Sequence, residues 1–211
     1  MYETGVWSDL SIITATETFR VHRAVVFPAN AKLRRDARIP NSKASVEMEE
    51  REVVVDAMLR HFYELPILWL HNVPHSASLT PGVGLSDALL SRCTDCVHLM
   101  FAAAKYDIER LGVSALRMFQ LCMSSHFIKS GHMIDLGCLF MDLAKDRVSL
   151  DLYKEGIDVV VNATHRKLAG IVNDAFAWES STPTRHTRDW SCPRQSRWDE
   201  ATKKRPAPDE A

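Results

Sequence analysis

Leu10 and Ile12 share one face of an extended segment while Asp9 and Ser11 take the other, which is the alternation of a half-buried strand. Phe19 and Val21 repeat it after Thr16 and Glu17, so the two segments predict a hairpin. From His22 the pattern changes to a short helix in which Ala24, Val25 and Val26 look buried, and Phe19, Val21 and Val25 are read as core. Pro28 has no N–H with which to continue that helix. Asn30 is a good N-cap for a second short helix carrying Leu33. Ile39-Pro40-Asn41-Ser42 is loop chemistry, and Val46 and Met48, alternating with charged neighbours, predict a third strand. Glu52 to Leu65 predicts a helix with Val54, Ala57, Met58, Phe62 and Leu65 along one stripe.

The rhythm then breaks. Prolines, glycines, Ser and Asn between about Pro66 and Thr94 predict a loop insertion, bounded here as residues 66–96. Helical spacing returns at Val97, Met100 and Ala104, then at Ile108, Leu111, Ala115, Leu116 and Phe119, which predicts two helices parted near Tyr106-Asp107. Met133 to Ala144 predicts another helix. Ser149 caps a long one whose apolar positions run from Tyr153 through Ile157, Val160, Leu168 and Ile171 to Ala175. From Glu179 the apolar period ends and Pro, Arg, Ser and Thr dominate, so residues 179–211 are read as a disordered tail. Strands and helices are segregated rather than alternating, which gives an α+β class: a small sheet with a helical cluster. The division expected is a domain over residues 5–123, a helical extension over 124–178, and the tail.

Composition changes this picture little. Of 211 residues, 46% are hydrophobic and 25% charged, with a formal net charge of −1, so no whole-molecule field draws the chain to nucleic acid or to an acidic membrane. Glu3, Asp9 and Glu17 spoil a secretory signal, and the best apolar run, Leu65 to Leu70, is short and contains Pro66. Five cysteines scattered along the chain suit reduced thiols better than a disulfide frame. The expectation is an intracellular protein, in cytoplasm or nucleus, with no membrane partner and no nucleic-acid partner.

Candidate chemistry is sparse. Cys93-Thr94-Asp95-Cys96 could place two thiolates on one metal, with His71 and His75 completing a tetrahedron. The spacing between the pairs is not that of a zinc finger, so chance occurrence in a variable insertion is the favoured reading and no cofactor is expected. No thioredoxin-like context surrounds the cysteine pair. There is no phosphate-binding glycine loop, no His-Glu-x-x-His and no Gly-x-Ser-x-Gly, so an enzyme is not expected. Asp56, Glu64, Asp142 and Asp151 read as solvated helix-face charges. In the tail, Trp190 and Trp198 lie among arginines before Lys203-Lys204-Arg205-Pro206, a weak nuclear-import resemblance diluted by nearby acids.

Three phrases carry a family resemblance. They are Ser8-Asp9-Leu10 leading to Phe19-Arg20-Val21-His22-Arg23, then Met58 to Tyr63, then Ala102-Ala103-Ala104-Lys105-Tyr106-Asp107-Ile108-Glu109-Arg110-Leu111. Together they resemble a BTB/POZ domain of the stand-alone kind found in many fungal proteins, over roughly Gly5 to Met123. The resemblance implies that the hairpin supplies sheet strands, that His22 begins the helix packed on them, and that the chain is a non-enzymatic protein–protein interaction module. Its implied partners are a protein, a second copy of itself, or a cullin. Adaptor of a cullin-based ubiquitin ligase and nuclear transcriptional regulator are the alternatives.

In larger BTB proteins positions equivalent to Asp9 and His22 line a charged pocket; the plainer alternative is that His22 caps the helix start and Asp9 bonds nearby backbone amides. The family's cullin-recruiting glutamate is missing after Ile39-Pro40, Leu33 stands where the family has a large aromatic, and seven residues precede Ser8. These departures weigh against the cullin and the swapped dimer. The candidate partner surface is Asp9, His22, Leu33, Arg34, Ile39 and Tyr106, with Tyr106 reading equally as a core residue whose hydroxyl is hydrogen-bonded.

Overall fold

The computed structural model describes residues 2, 4–38, 44–75, 84–125, 128–144, 154–166 and 169. The chain divides into a unit of residues 1–170 and one of residues 171–211, and all the described residues fall in the first. The expected 179–211 tail, Ile39 and its loop, Ser149 and Asp151 lie outside the described residues.

Strands β1 (Leu10–Ile13) and β2 (Thr18–Val21) form the hairpin. Its turn is closed by Thr14, whose amide and hydroxyl both donate to the Glu17 carbonyl. Strand β3 (Ala44–Glu47) joins the other side of β1, so the sheet order is β2-β1-β3, with β1 antiparallel to β2 and parallel to β3. The register sets Leu10 opposite Val21 and Ala44, and Ile12 opposite Phe19 and Val46. Those residues make one apolar face, on which only Phe19 keeps some exposure. Each large aliphatic side chain taken from water here stabilises by about 1.5–3 kcal/mol. A one-residue slip would turn the whole face to solvent, so the burial pattern fixes the pairing.

Helix α1 (Arg23–Ala29) follows β2 directly and ends one residue past Pro28, with the Asn30 amide donating to the Val26 carbonyl. The core residue of this helix is Val26; Ala24 is exposed and Val25 only half-buried, which corrects the expectation that Val25 is core. A helix this short presents one narrow stripe to the core, and that stripe falls one position later than the apolar run suggests. Helix α2 (Ala31–Asp36) is capped by the Asn30 side chain, which accepts from the Lys32 and Leu33 amides. Helix α3 (Glu52–Phe62) buries Val54, Val55, Ala57, Met58 and Leu59 and stops short of the expected Leu65.

A 3-10 turn at Leu68–Leu70 comes next. Helix α4 (Leu85–Lys105) then begins well inside the interval expected to be loop, so the insertion does not reach residue 96. Leu89, Cys93, Cys96, Val97 and Met100 form its buried stripe, and the cysteines there act as small apolar residues. Helix α5 (Glu109–Met123) packs back along α4 after the break at Tyr106-Asp107. Helix α6 (Ser130–Ala144) lies on this pair, its Phe140 ring set against Phe101 and Phe119. Residues 154–166 are helical and cover α6, with the Thr164 hydroxyl against the Met133 sulfur. The result is a mixed α+β unit, mostly helical, with a small three-stranded sheet at one end of the chain. No helix among the described residues is long and apolar enough to cross a membrane.

Candidate functional site

Asp9 and His22 meet at the start of α1. The Asp9 carboxylate accepts from the Arg23 amide at 2.8 Å and from its guanidinium at 2.9 Å, so it satisfies a first-turn N–H that the helix itself leaves open. Burial alone would raise the Asp9 carboxyl; the Arg23 amide and side chain outweigh it and hold it below the usual carboxylate range. His22 occupies the N-cap position but makes no side-chain cap. Its Nδ1 lies 2.7 Å from the Tyr63 hydroxyl, its Nε2 2.8 Å from the Val6 carbonyl, and its amide donates to the Tyr63 oxygen. The ring ties the N-terminal turn, α1 and the end of α3 together instead of capping.

The same cluster continues through Tyr2. Its ring stands 5.1 Å from that of Tyr63, and its hydroxyl donates to Asp56 at 2.6 Å. Asp56 also holds Arg60 at 2.8 Å, so it is not the solvated helix-face charge the sequence suggests. Both Asp9 and His22 are thereby engaged in holding elements together.

Leu33 is 1% exposed and Tyr106 5%, which removes both from the partner surface. Leu33, in the first turn of α2, belongs to the same hydrophobic core as the sheet residues, and the tyrosine sits where α4 ends. The Tyr106 hydroxyl donates to Glu50 at 3.0 Å, while Lys32 and Lys105 each place an ammonium 5.2–5.4 Å from its ring centre. Lys105 reaches the same Glu50 at 2.6 Å. Asn30, 4% exposed, donates from Nδ2 to the Tyr106 carbonyl at 2.5 Å while its Oδ1 caps α2. Of the six candidates, Arg34 is exposed and Ile39 lies outside the described residues.

The thiols of Cys93 and Cys96 are buried in the α4–α5 seam beside Cys122. A hydrogen bond with Cys122, together with burial, pushes the Cys93 thiol up, and burial does the same to Cys96. Among the described residues no group of three or more His, Cys, Asp and Glu side chains is placed to hold a metal. His71 and His75 lie near the 3-10 turn and do not join the cysteines.

Sequence pattern alone does not reveal a groove of about 340 Å³ between the end of α3 and the α4–α5 turn. Ala29, Phe62 and Ile108 supply its apolar surface; Glu64, Asp107 and Glu109 stand along it. Glu64 and Asp107 both have left-handed backbone, φ 55° and 58°. Each occupies the position just past a helix end: the Leu65 amide donates to the Arg60 carbonyl, and the Ile108 amide to that of Ala103. This is the Schellman termination, in which glycine is the usual occupant. A sequence signal exists, because the groove walls are the Met58–Tyr63 and Ala102–Leu111 phrases, but nothing local says that they meet. Exposed apolar side chains also mark the surface, foremost Trp7, 85% exposed beside Val6.

Compared with protein-family models and with curated proteins, the chain matches none.

Proposed function

We propose that this chain is a non-enzymatic protein–protein interaction module of the BTB/POZ type. The observation that carries the reading is the interlocking of the three resembling phrases within one unit. The His22–Tyr63 hydrogen bond at 2.7 Å ties the first phrase to the second. Phe62 and Ile108 line one groove and so bring the second to the third. The Asn30 side chain, beyond the first phrase at the end of α1, grips the Tyr106 carbonyl of the third at 2.5 Å. Polar residues near these junctions, Asp9, His22, Asp56 and Tyr106, hold elements in place. The mechanism is surface recognition: apolar side chains in a depression or on a turn, ringed by charge, bind a complementary protein. A second copy and, despite the glutamate missing after Ile39-Pro40, a cullin are the partners that the resemblance implies.

The test uses the full chain. Light scattering across a concentration series reads self-association, and calorimetric titration reads binding to the purified N-terminal region of a cullin. Affinity purification followed by mass spectrometry supplies further candidates, each of which is then purified and titrated. A saturable protein complex is the expected result. A chain that stays monomeric, binds no purified candidate and turns over a small molecule overturns the reading.

A further inference from the structure

Within the interaction reading, on which this inference rests, we propose that the groove between α3 and the α4–α5 turn is a docking site for a peptide segment bearing arginine or lysine beside an apolar residue. The apolar surface comes from Ala29, Phe62 and Ile108, drawn from three separate parts of the chain. Around it stand the carboxylates of Glu64, Asp107 and Glu109, all on exposed residues. Helices α3 and α4 both end here, and the basic residues of their last turns, Arg60 and Lys105, are engaged by Asp56 and Glu50, so the negative helix ends add to the carboxylates. The start of α5 opposes this, and Glu109 in its first turn offsets it. Arg110 is the one guanidinium among the described lining residues. His61, also in the lining, is held below its ordinary value by burial and by Arg110, and therefore adds little positive charge near neutrality.

Three carboxylates against one guanidinium make a negative field over an apolar floor. Such a field repels phosphate backbones and anionic lipid headgroups and draws in a cationic side chain. At about 340 Å³ the depression lies at the small end of ligand sites, which suits one or two side chains of an extended segment. The acidic positions are also held in place: the Schellman hydrogen bonds of Leu65 and Ile108 fix the backbone at Glu64 and Asp107, so little ordering is required on binding.

The experiment presents the full chain with two immobilised libraries of eight-residue peptides, one with arginine fixed at the centre and one with glutamate. The arginine library is expected to be retained, with apolar residues enriched next to the arginine and retention falling as salt rises to about 0.5 M. A purified peptide from that selection is then titrated against Glu64→Gly/Asp107→Gly and against Arg110→Gln. Glycine suits both left-handed positions, so the double variant keeps its fold while losing two charges. Its affinity is expected to fall about tenfold, whereas Arg110→Gln tightens binding about two- to threefold. Unchanged affinity of the double variant, retention of the glutamate library, or retention of neither overturns the groove assignment. Each of those outcomes leaves the interaction reading to stand or fall on its own titrations.

Discussion

At Glu64 the backbone sits at φ 55°, a conformation imposed by the Arg60 and His61 carbonyls, which accept from the Leu65 and Glu64 amides. A residue with a Cβ in that region is disfavoured by about 1 kcal/mol relative to glycine. Glu64→Gly is therefore expected to raise stability by about 0.5–1 kcal/mol, read as a higher urea midpoint at unchanged slope. Asp107→Gly should gain less, because aspartate tolerates the left-handed region better. Asn30 is the converse case, a small polar residue whose amide meets three backbone groups on two elements. Asn30→Ala removes an N-cap and leaves the Tyr106 carbonyl without that donor, so a loss of about 2–3 kcal/mol is expected. Equilibrium unfolding would show it. A loss under about 0.5 kcal/mol would mean that α2 and α4 are held together elsewhere.

Among the elements, the 154–166 helix meets the Phe140 ring of α6 at a position that has no side chain, Gly156. A Cβ added at Gly156 would come within 2.5 Å of the Phe140 ring, which is itself wedged against Phe101 and Phe119. In an open helix Gly→Ala stabilises by about 1 kcal/mol; here the clash reverses the sign. Gly156→Ala should cost about 1–3 kcal/mol, and pairing it with Phe140→Leu should recover part of that loss in a double-mutant cycle. Helix α4 differs in that packing rather than local chemistry reveals its start. Its early turns look like loop because Pro81, Gly82 and Gly84 precede them and because Cys93 and Cys96 read as a possible metal pair. Counted as small apolar residues, Leu89, Cys93, Cys96, Val97 and Met100 complete an ordinary helical stripe.

For the molecule as a whole, pH is the variable that reaches several sites together. Burial and the Arg110 charge hold His61 below the ordinary imidazole value of 6.5, and burial with Arg51 does the same to His98. A group whose folded value is depressed contributes stability that is fully present above its unfolded value and is lost as pH falls through the folded one. The unit is accordingly expected to lose stability as pH drops from about 7.5 towards 5. Asp95, which burial pushes up despite Arg51 and Arg92, acts in the opposite sense as pH falls from its raised folded value to the ordinary carboxylate one. Urea unfolding at a series of pH values checks this. The His61→Gln/His98→Gln variant should show a flatter dependence between about pH 7.5 and 5.5, and an unchanged slope would place the acid sensitivity in other groups.

Local pattern was enough to locate much of this fold. The alternation at Leu10–Ile12 and Phe19–Val21, the cap at Asn30, the stripe of α3 and the break at Tyr106-Asp107 are all properties of near neighbours, and steric and hydrogen-bonding preferences over a few residues set them. Which side of β1 receives β3, which valine of α1 enters the core, and whether Leu33 and Tyr106 face a partner or the interior depend on what packs opposite. The groove depends on it most. Glu64 and Asp107 each stand just past the end of a helix, separated by more than forty positions, and only the packing of α4 and α5 beside α3 brings the two chain reversals together. Burial and proximity are properties of pairs distant in sequence, so only tertiary structure could decide them.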